Sequence, residues 1–235
     1  MKKTLVALAI SAALLPSLVH AEAGDWVVRL RATNVNPQES SKLGEKTDNA
    51  YGGDPFPSSA LYGSSTANLK VDSNTIPELD ISYYFTKNLA AELILALGTK
   101  HDVSISPGNG AVAKNLGEVN LLPPTLTLQW HFNPDQTLDP YVGAGVTYVR
   151  AIDNGLTARA GDVGNFPIRI DRNSWGAALQ AGLDVNLDDK WLVNLDVKKI
   201  IVDTDVKLNL GDGYKKIDSL DIDPWVISVG FGKKF

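Results

Sequence analysis

Apolar and polar residues take turns along this chain in eight separate stretches. Between residues 25 and 34, Trp26, Val28, Leu30 and Ala32 share one face, while Val27, Arg29 and Arg31 share the other. Residues 78–85 set Leu79, Ile81, Tyr83 and Phe85 against Glu78, Asp80, Ser82 and Tyr84. Residues 89–97 set Ala91, Leu93, Leu95 and Leu97 against Glu92, Ile94 and Ala96. The same pattern returns over residues 122–132, 141–149, 175–185, 191–198 and 225–235. Successive side chains of a strand point to opposite faces, so this period of two predicts eight strands, each with one apolar and one polar face.

The connections between these stretches alternate in length. Residues 86–88, 133–138 and 188–190 are tight; residues 35–75, 99–118, 150–173 and 203–219 are long. Outer-membrane barrels have short periplasmic turns and long extracellular loops, and an even strand number returns both termini to one side. A soluble β-sandwich shares the alternation but has no need for short and long connections to take turns. The tryptophans point the same way. Trp26, Trp130, Trp175, Trp191 and Trp225 all fall near strand ends on the apolar face, where spanning strands carry interfacial aromatic girdles. The expected fold is all-β: an eight-stranded antiparallel transmembrane β-barrel with short periplasmic turns and long extracellular loops.

The first 21 residues sharpen that expectation. Met1-Lys2-Lys3 is positive, residues 4–19 are uncharged and mostly apolar, and Val19-His20-Ala21 suits a cleavage site. This is the pattern of a secretory signal peptide. The run is short for a spanning helix and Pro16 interrupts it. Residues 1–21 are therefore expected to be a cleaved signal and residues 22–235 a single barrel domain in the outer membrane. Beyond the signal no apolar run is long enough to span as a helix.

Composition excludes several function classes. The chain has a net charge of −5, and two of its 22 basic residues lie in the leader, so the exported part is more acidic still. An acidic chain is a poor partner for nucleic acid. Cysteine is absent, which removes disulfides and thiol catalysis. His101 and His131 lack a His or Cys partner in zinc spacing, and no metal or cofactor is expected. Gly143-Ala144-Gly145 opens like a dinucleotide loop but has Tyr148 at the third glycine position and no helix after it. Small lumen-facing residues explain it better.

Parity directs Arg29, Arg31, Glu78, Asp80, Glu92, Asp184, Asp196 and Lys198 into the lumen. An eight-stranded barrel is just wide enough to be filled by side chains, and opposite charges enclosed there should pair. A polar plug is expected. The final strand ends in an aromatic residue, with Phe231 and Phe235 on its apolar face. It resembles the strand that barrel-assembly machinery recognises. Residues 51–65, rich in Gly, Pro and Ser, are expected to be mobile.

Several fragments together resemble the OmpW family of small outer-membrane proteins. They are LPPTLTLQWHF (residues 122–132), PYVGAGVTY (140–148), DNG (153–155), SWGAALQAGLDV (174–185), WLVNLDV (191–197) and DPWVISVGF (223–231), in order along the second half. NLAAELILAL (88–97) matches more loosely and the first long loop poorly. The resemblance implies an eight-stranded barrel with a narrow hydrophobic channel for small apolar molecules. In some members the ligand is thought to leave sideways through the wall. Pro123-Pro124 gives that exit a physical reading. Proline has no N–H for a ladder, and two in succession leave neighbouring carbonyls unpartnered, which in lipid requires a cavity or protein beside them. The alternative is that the strand simply starts after Pro124. Ile94, Leu121 and Pro123 have inward parity near the outer end and are expected to line an apolar pocket, with Lys198 making it less purely greasy.

The expected function is passive uptake of small hydrophobic molecules. The expected partners are outer-membrane lipid and lipopolysaccharide, the barrel-assembly machinery and a small hydrophobic ligand. Two other classes compete. One is a structural, adhesive or receptor barrel working through its outer loops. The other is a lipid-modifying enzyme, which needs a nucleophile beside a base; His101 with Ser104 or Ser106 is the sole candidate pair.

Overall fold

The computed structural model describes residues 23–54, 56–96, 98–107 and 114–235. The proposed leader, residues 1–21, and Leu97 lie outside the described residues. In chain order the strands are β1 (Trp26–Asn36), β2 (Asn68–Val71), β3 (Asn74–Tyr84), β4 (Leu89–Ala96), β5 (Thr99–Ser106), β6 (Lys114–Leu122), β7 (Thr125–His131) and β8 (Leu138–Asp153). They continue with β9 (Gly155–Arg159), β10 (Asn165–Ile170), β11 (Asn173–Asn186), β12 (Trp191–Ile201), β13 (Asp203–Asn209), β14 (Tyr214–Asp221) and β15 (Trp225–Lys234). Two short helices, α1 (Leu43–Ala50) and α2 (Phe56–Tyr62), lie between β1 and β2.

Eight of these strands close a barrel in the order β1-β3-β4-β7-β8-β11-β12-β15, every neighbour antiparallel. The seam joins β1 to β15, from Val27 opposite Lys234 to Asn36 opposite Trp225. Closure leaves no free edge, as a chain lodged in lipid requires. The short turns and both ends of the described chain lie on the periplasmic side. The turn after β11 is held by Asp188, whose Oδ1 accepts the N–H groups of Lys190 and Trp191 at 2.8 and 2.7 Å. Those two hydrogen bonds hold its carboxyl below the usual carboxylate range.

The outward faces are apolar and exposed: Leu30, Leu126, Leu128, Leu179, Ile227 and Val229 are examples. So large an exposed apolar surface would be a liability in water and is what lipid demands. Trp26, Trp130 and Trp191 point outward at the periplasmic strand ends, and Trp175 and Trp225 at the extracellular ends. Each level has an aromatic contact, Trp26 with Tyr83 at 4.9 Å and Tyr148 with Trp175 at 4.8 Å. Phe231 and Phe235 are also exposed on the outer face.

The long connections are not irregular. β5 and β6 form a hairpin that β2 extends, and β14-β13-β10-β9 form a separate four-stranded sheet. These elements enclose an apolar core of their own, including Leu43, Leu69, Ile105, Leu156, Ile168 and Leu208. Residues 51–65, expected to be mobile, include α2. The Asp48 carboxylate accepts the Ser58 N–H at 3.0 Å and its hydroxyl at 2.7 Å, and Leu61 and Tyr62 are buried. A buried pair of large side chains outweighs the turn-forming composition that suggested mobility.

Candidate functional site

The lumen has two levels. In the lower one, β1 alternation turns Arg29 and Arg31 inward, where both are fully or almost fully buried. Arg29 donates to Asp184 Oδ2 and Ser82 Oγ, each at 2.6 Å, and pairs with Glu92 at 3.4 Å. Arg31 donates through Nε to Asn194 at 2.7 Å and through Nη2 to Glu92 at 3.0 Å. Its Nη1 lies 2.9 Å from Asp80 Oδ2, an ion pair outside hydrogen-bonding geometry, and 3.4 Å from Glu78. Gln180 Nε2 donates to Glu92 at 2.8 Å and to Asp196 at 2.6 Å, and the Tyr141 hydroxyl donates to Asp196 at 2.7 Å. Every residue expected in a polar plug thus meets the others in one buried network. Tyr141, Asn194, Gln129 and Gln180 join it. Tyr141 opens the alternating stretch 141–149, and the sequence alone gives no sign of its reach to Asp196. Gly182 makes its place possible, because a side chain there would occupy the space of the Tyr141 ring.

At the periplasmic end, His131 Nδ1 lies 2.7 Å from Asp139 Oδ2, and its ring stacks on Tyr141 at 4.9 Å. Donor atoms of His131, Asp139 and Asp184 lie within 4.8 Å of one another, a spacing that could hold a metal ion. Asp184 already receives the Arg29 guanidinium at 2.6 Å, so a protein cation occupies that carboxylate.

The upper level is an apolar vestibule with a cavity of about 90 Å³. Its floor is Glu78 and Lys198. Lys198 Nζ donates to Asp196 Oδ1 at 2.6 Å and lies 3.4 Å from Glu78, so its charge is paired downward. Ile94, Leu121 and Pro123 line the wall as parity indicated; Pro124 lies outside the lining. Sequence reasoning missed the wall contributed by Leu69, Val103, Leu156 and Leu220, because their segments were treated as loops. The missed signal was a period of two in His101, Val103 and Ile105, and again in Thr204, Val206 and Leu208.

Pro123 and Pro124 separate β6 from β7, so the fourth spanning strand starts at Thr125 rather than at residue 122. The prolines' own carbonyls lie within reach of donors. Pro124 O accepts the Tyr148 N–H at 3.0 Å, and Pro123 O accepts the Thr125 hydroxyl at 3.3 Å. What the prolines interrupt is the next ladder. Pairing of β4 with β7 stops at Ile94 opposite Thr125, and the β5–β6 ladder begins at Thr99 opposite Leu121. Gly98, with φ of +60°, marks the bend on the facing side. Among the described residues the ladder is therefore interrupted at the prolines, beside the vestibule.

The candidate enzyme pair does not form. On β5, His101 is buried while Ser104 and Ser106 sit at the opposite parity, facing away from it.

Comparison with known proteins agrees with this architecture. The profile of the OmpW family matches residues 22–235. Outer membrane protein W of Vibrio cholerae is 33% identical over 238 residues, covering 100% of both chains. The dibenzothiophene metabolism operon protein PahQ of Pseudomonas aeruginosa is 26% identical, covering 94% of this chain and 93% of its own. Among solved structures, the outer membrane protein OprG of Pseudomonas aeruginosa superposes with a TM-score of 0.75 at 29% identity, covering 93% of this chain and 99% of that one. A closed eight-stranded barrel with a lipid-facing apolar wall, matched over residues 22–235, leaves one conclusion: the chain belongs to the OmpW family and is an outer-membrane protein.

Proposed function

We propose that this barrel is a passive entry route for small hydrophobic molecules, which enter the vestibule from outside and leave sideways into the membrane. One observation carries the reading: an apolar cavity ends on a floor of buried, paired charges. A hydrophobic molecule gains about 25 cal/mol for each Å² it keeps out of water. It has no such gain among Arg29, Arg31, Glu92 and Asp196, whose pairing it would have to disrupt. The interrupted ladder at Pro123-Pro124 borders the same cavity, which supports a sideways exit. The name of the PahQ relative, which refers to dibenzothiophene metabolism, fits an apolar aromatic cargo. On this reading residues 1–21 are the cleaved export signal, the five tryptophans anchor the barrel at the two interfaces, and Phe231 and Phe235 are the residues read by the assembly machinery.

The test is uptake of a small apolar tracer by cells lacking their own uptake barrel, with equal amounts of inserted parent or Pro123→Thr/Pro124→Thr protein. The parent is expected to speed uptake and the double variant to lose that gain. A gain kept by the variant removes the sideways exit; no gain from the parent removes the entry route. A second reading, a receptor or adhesive surface, is favoured by the folded extracellular core around Leu156 and Ile168. It predicts binding that survives blockage of the vestibule.

A further inference from the structure

The vestibule is apolar, but two of its buried side chains present hydrogen-bonding atoms that the fold does not use. Thr204, at the start of β13, is 5% exposed and lines the cavity. Among the described residues its hydroxyl has no hydrogen-bond partner. His101, on β5, is 3% exposed and also lines the cavity. Its Nδ1 lies 2.8 Å from the carbonyl oxygen of Asp72. A carbonyl only accepts, so Nδ1 carries a proton, and Nε2 makes no hydrogen bond among the described residues. Buried polar atoms are nearly always satisfied, and an orphan in a ligand-sized apolar space points to a ligand or water that satisfies it.

The charge below selects the kind of ligand. The cavity floor belongs to a network in which Arg29, Arg31 and Lys198 face Glu78, Asp80, Glu92, Asp184 and Asp196. Carboxylates outnumber cations there, and Lys198 is already bonded to Asp196 and beside Glu78. An incoming anion would meet a paired cation and an excess of its own sign. A neutral group meets neither penalty. We propose that the vestibule prefers neutral amphiphiles, an apolar body bearing one hydroxyl, over both the bare hydrocarbon and the carboxylate of the same size. Thr204 and His101 supply the polar contacts. This deepens the uptake reading and rests on it.

The mature protein in lipid nanodiscs would be titrated with toluene, benzyl alcohol and benzoate, following the labelled Leu121 methyl groups in the cavity wall, with empty nanodiscs correcting for partitioning. Benzyl alcohol is expected to bind roughly five- to tenfold more tightly than toluene, the contribution of one net hydrogen bond, and benzoate more weakly than either. Thr204→Val keeps the shape and removes the orphan hydroxyl; His101→Phe removes the second polar side chain. A loss of the alcohol preference in either variant supports the proposal. Equal binding of toluene and benzyl alcohol, a preference unchanged in both variants, or benzoate as the tightest ligand overturns it and leaves the uptake reading standing. Failure of all three probes to bind the folded parent overturns that reading as well.

Discussion

The floor and the lower wall of the vestibule are made from the same strands, yet their interiors are chemically opposite. On β1 the inward positions run Arg29, Arg31, Thr33 and then Val35. On β3 they run Asp80, Glu78 and then Ile76; on β12, Asn194, Asp196, Lys198 and then Ile200; on β15, Ser228 and then Val226. The change occurs at nearly one height, because Thr33 pairs with Ser228 and Val35 with Val226 across the seam. At that height the Thr33 hydroxyl donates to Ser228 at 2.8 Å. Inside a barrel, then, a boundary between a charged floor and a greasy chamber needs only a change of residue type at matched positions. No extra domain or inserted loop is required.

The comparison breaks hardest at its charged side. Arg31→Met leaves Asp80 without its cation and takes one of two cations from each of Glu78 and Glu92. The barrel should lose about 3–5 kcal/mol of stability, as when one partner of a buried ion pair is removed, seen as a lower urea midpoint in liposomes. A midpoint unchanged from the parent would show that the network adds no stability. On the apolar side, Ile94→Ala removes a side chain that already borders open space. The cost should fall near the low end for such truncations, about 2 kcal/mol, while bulkier tracers gain entry in the uptake assay. A variant that costs as much as the arginine change would deny the contrast between the two levels. The smallest effect lies outside the membrane. The Lys216 ammonium beside Asp205, with the Ser219 hydroxyl, holds the Asp205 carboxyl below its usual range. A depressed carboxylate stabilises the sheet above its unfolded pKa and stops doing so as pH falls through the lower folded value. This exposed pair is worth about 0.2–1 kcal/mol. Amide exchange in β13 and β14 should therefore quicken slightly on acidification below the carboxylate range, and Asp205→Asn should remove the acid-dependent part.

Much of this was legible in the chain before any coordinates. The spanning strands show themselves because lipid on one side and a filled lumen on the other enforce a period of two over eight or more residues. The lumen charges followed from parity, as did Ile94, Leu121, Pro123 and Lys198. Which charges meet did not follow, because the Arg31 contacts with Asn194 and Glu92 depend on barrel curvature and strand stagger. The extracellular half of the chamber was hidden for another reason. Its strands are short, and their apolar positions face a core as well as a cavity, so they read like connections between barrel strands. The prolines were legible as missing N–H groups, but not the place where the strand restarts, at Thr125, with Pro124 O accepting the Tyr148 N–H.

The seam carries one more consequence. Trp26 and Phe235 exchange backbone hydrogen bonds, the Phe235 N–H donating at 2.8 Å and the Trp26 N–H at 3.2 Å. The wall is thus completed by its two most distant segments in sequence. Every other ladder of the barrel joins spanning strands that follow one another in the chain, but this one must await nearly the whole polypeptide. Until β15 arrives, β1 and β12 are raw edges able to recruit any extended strand. Such non-local closure is slow to form and leaves an aggregation-prone intermediate. The stitch between these two aromatic residues completes the wall and removes both edges at once.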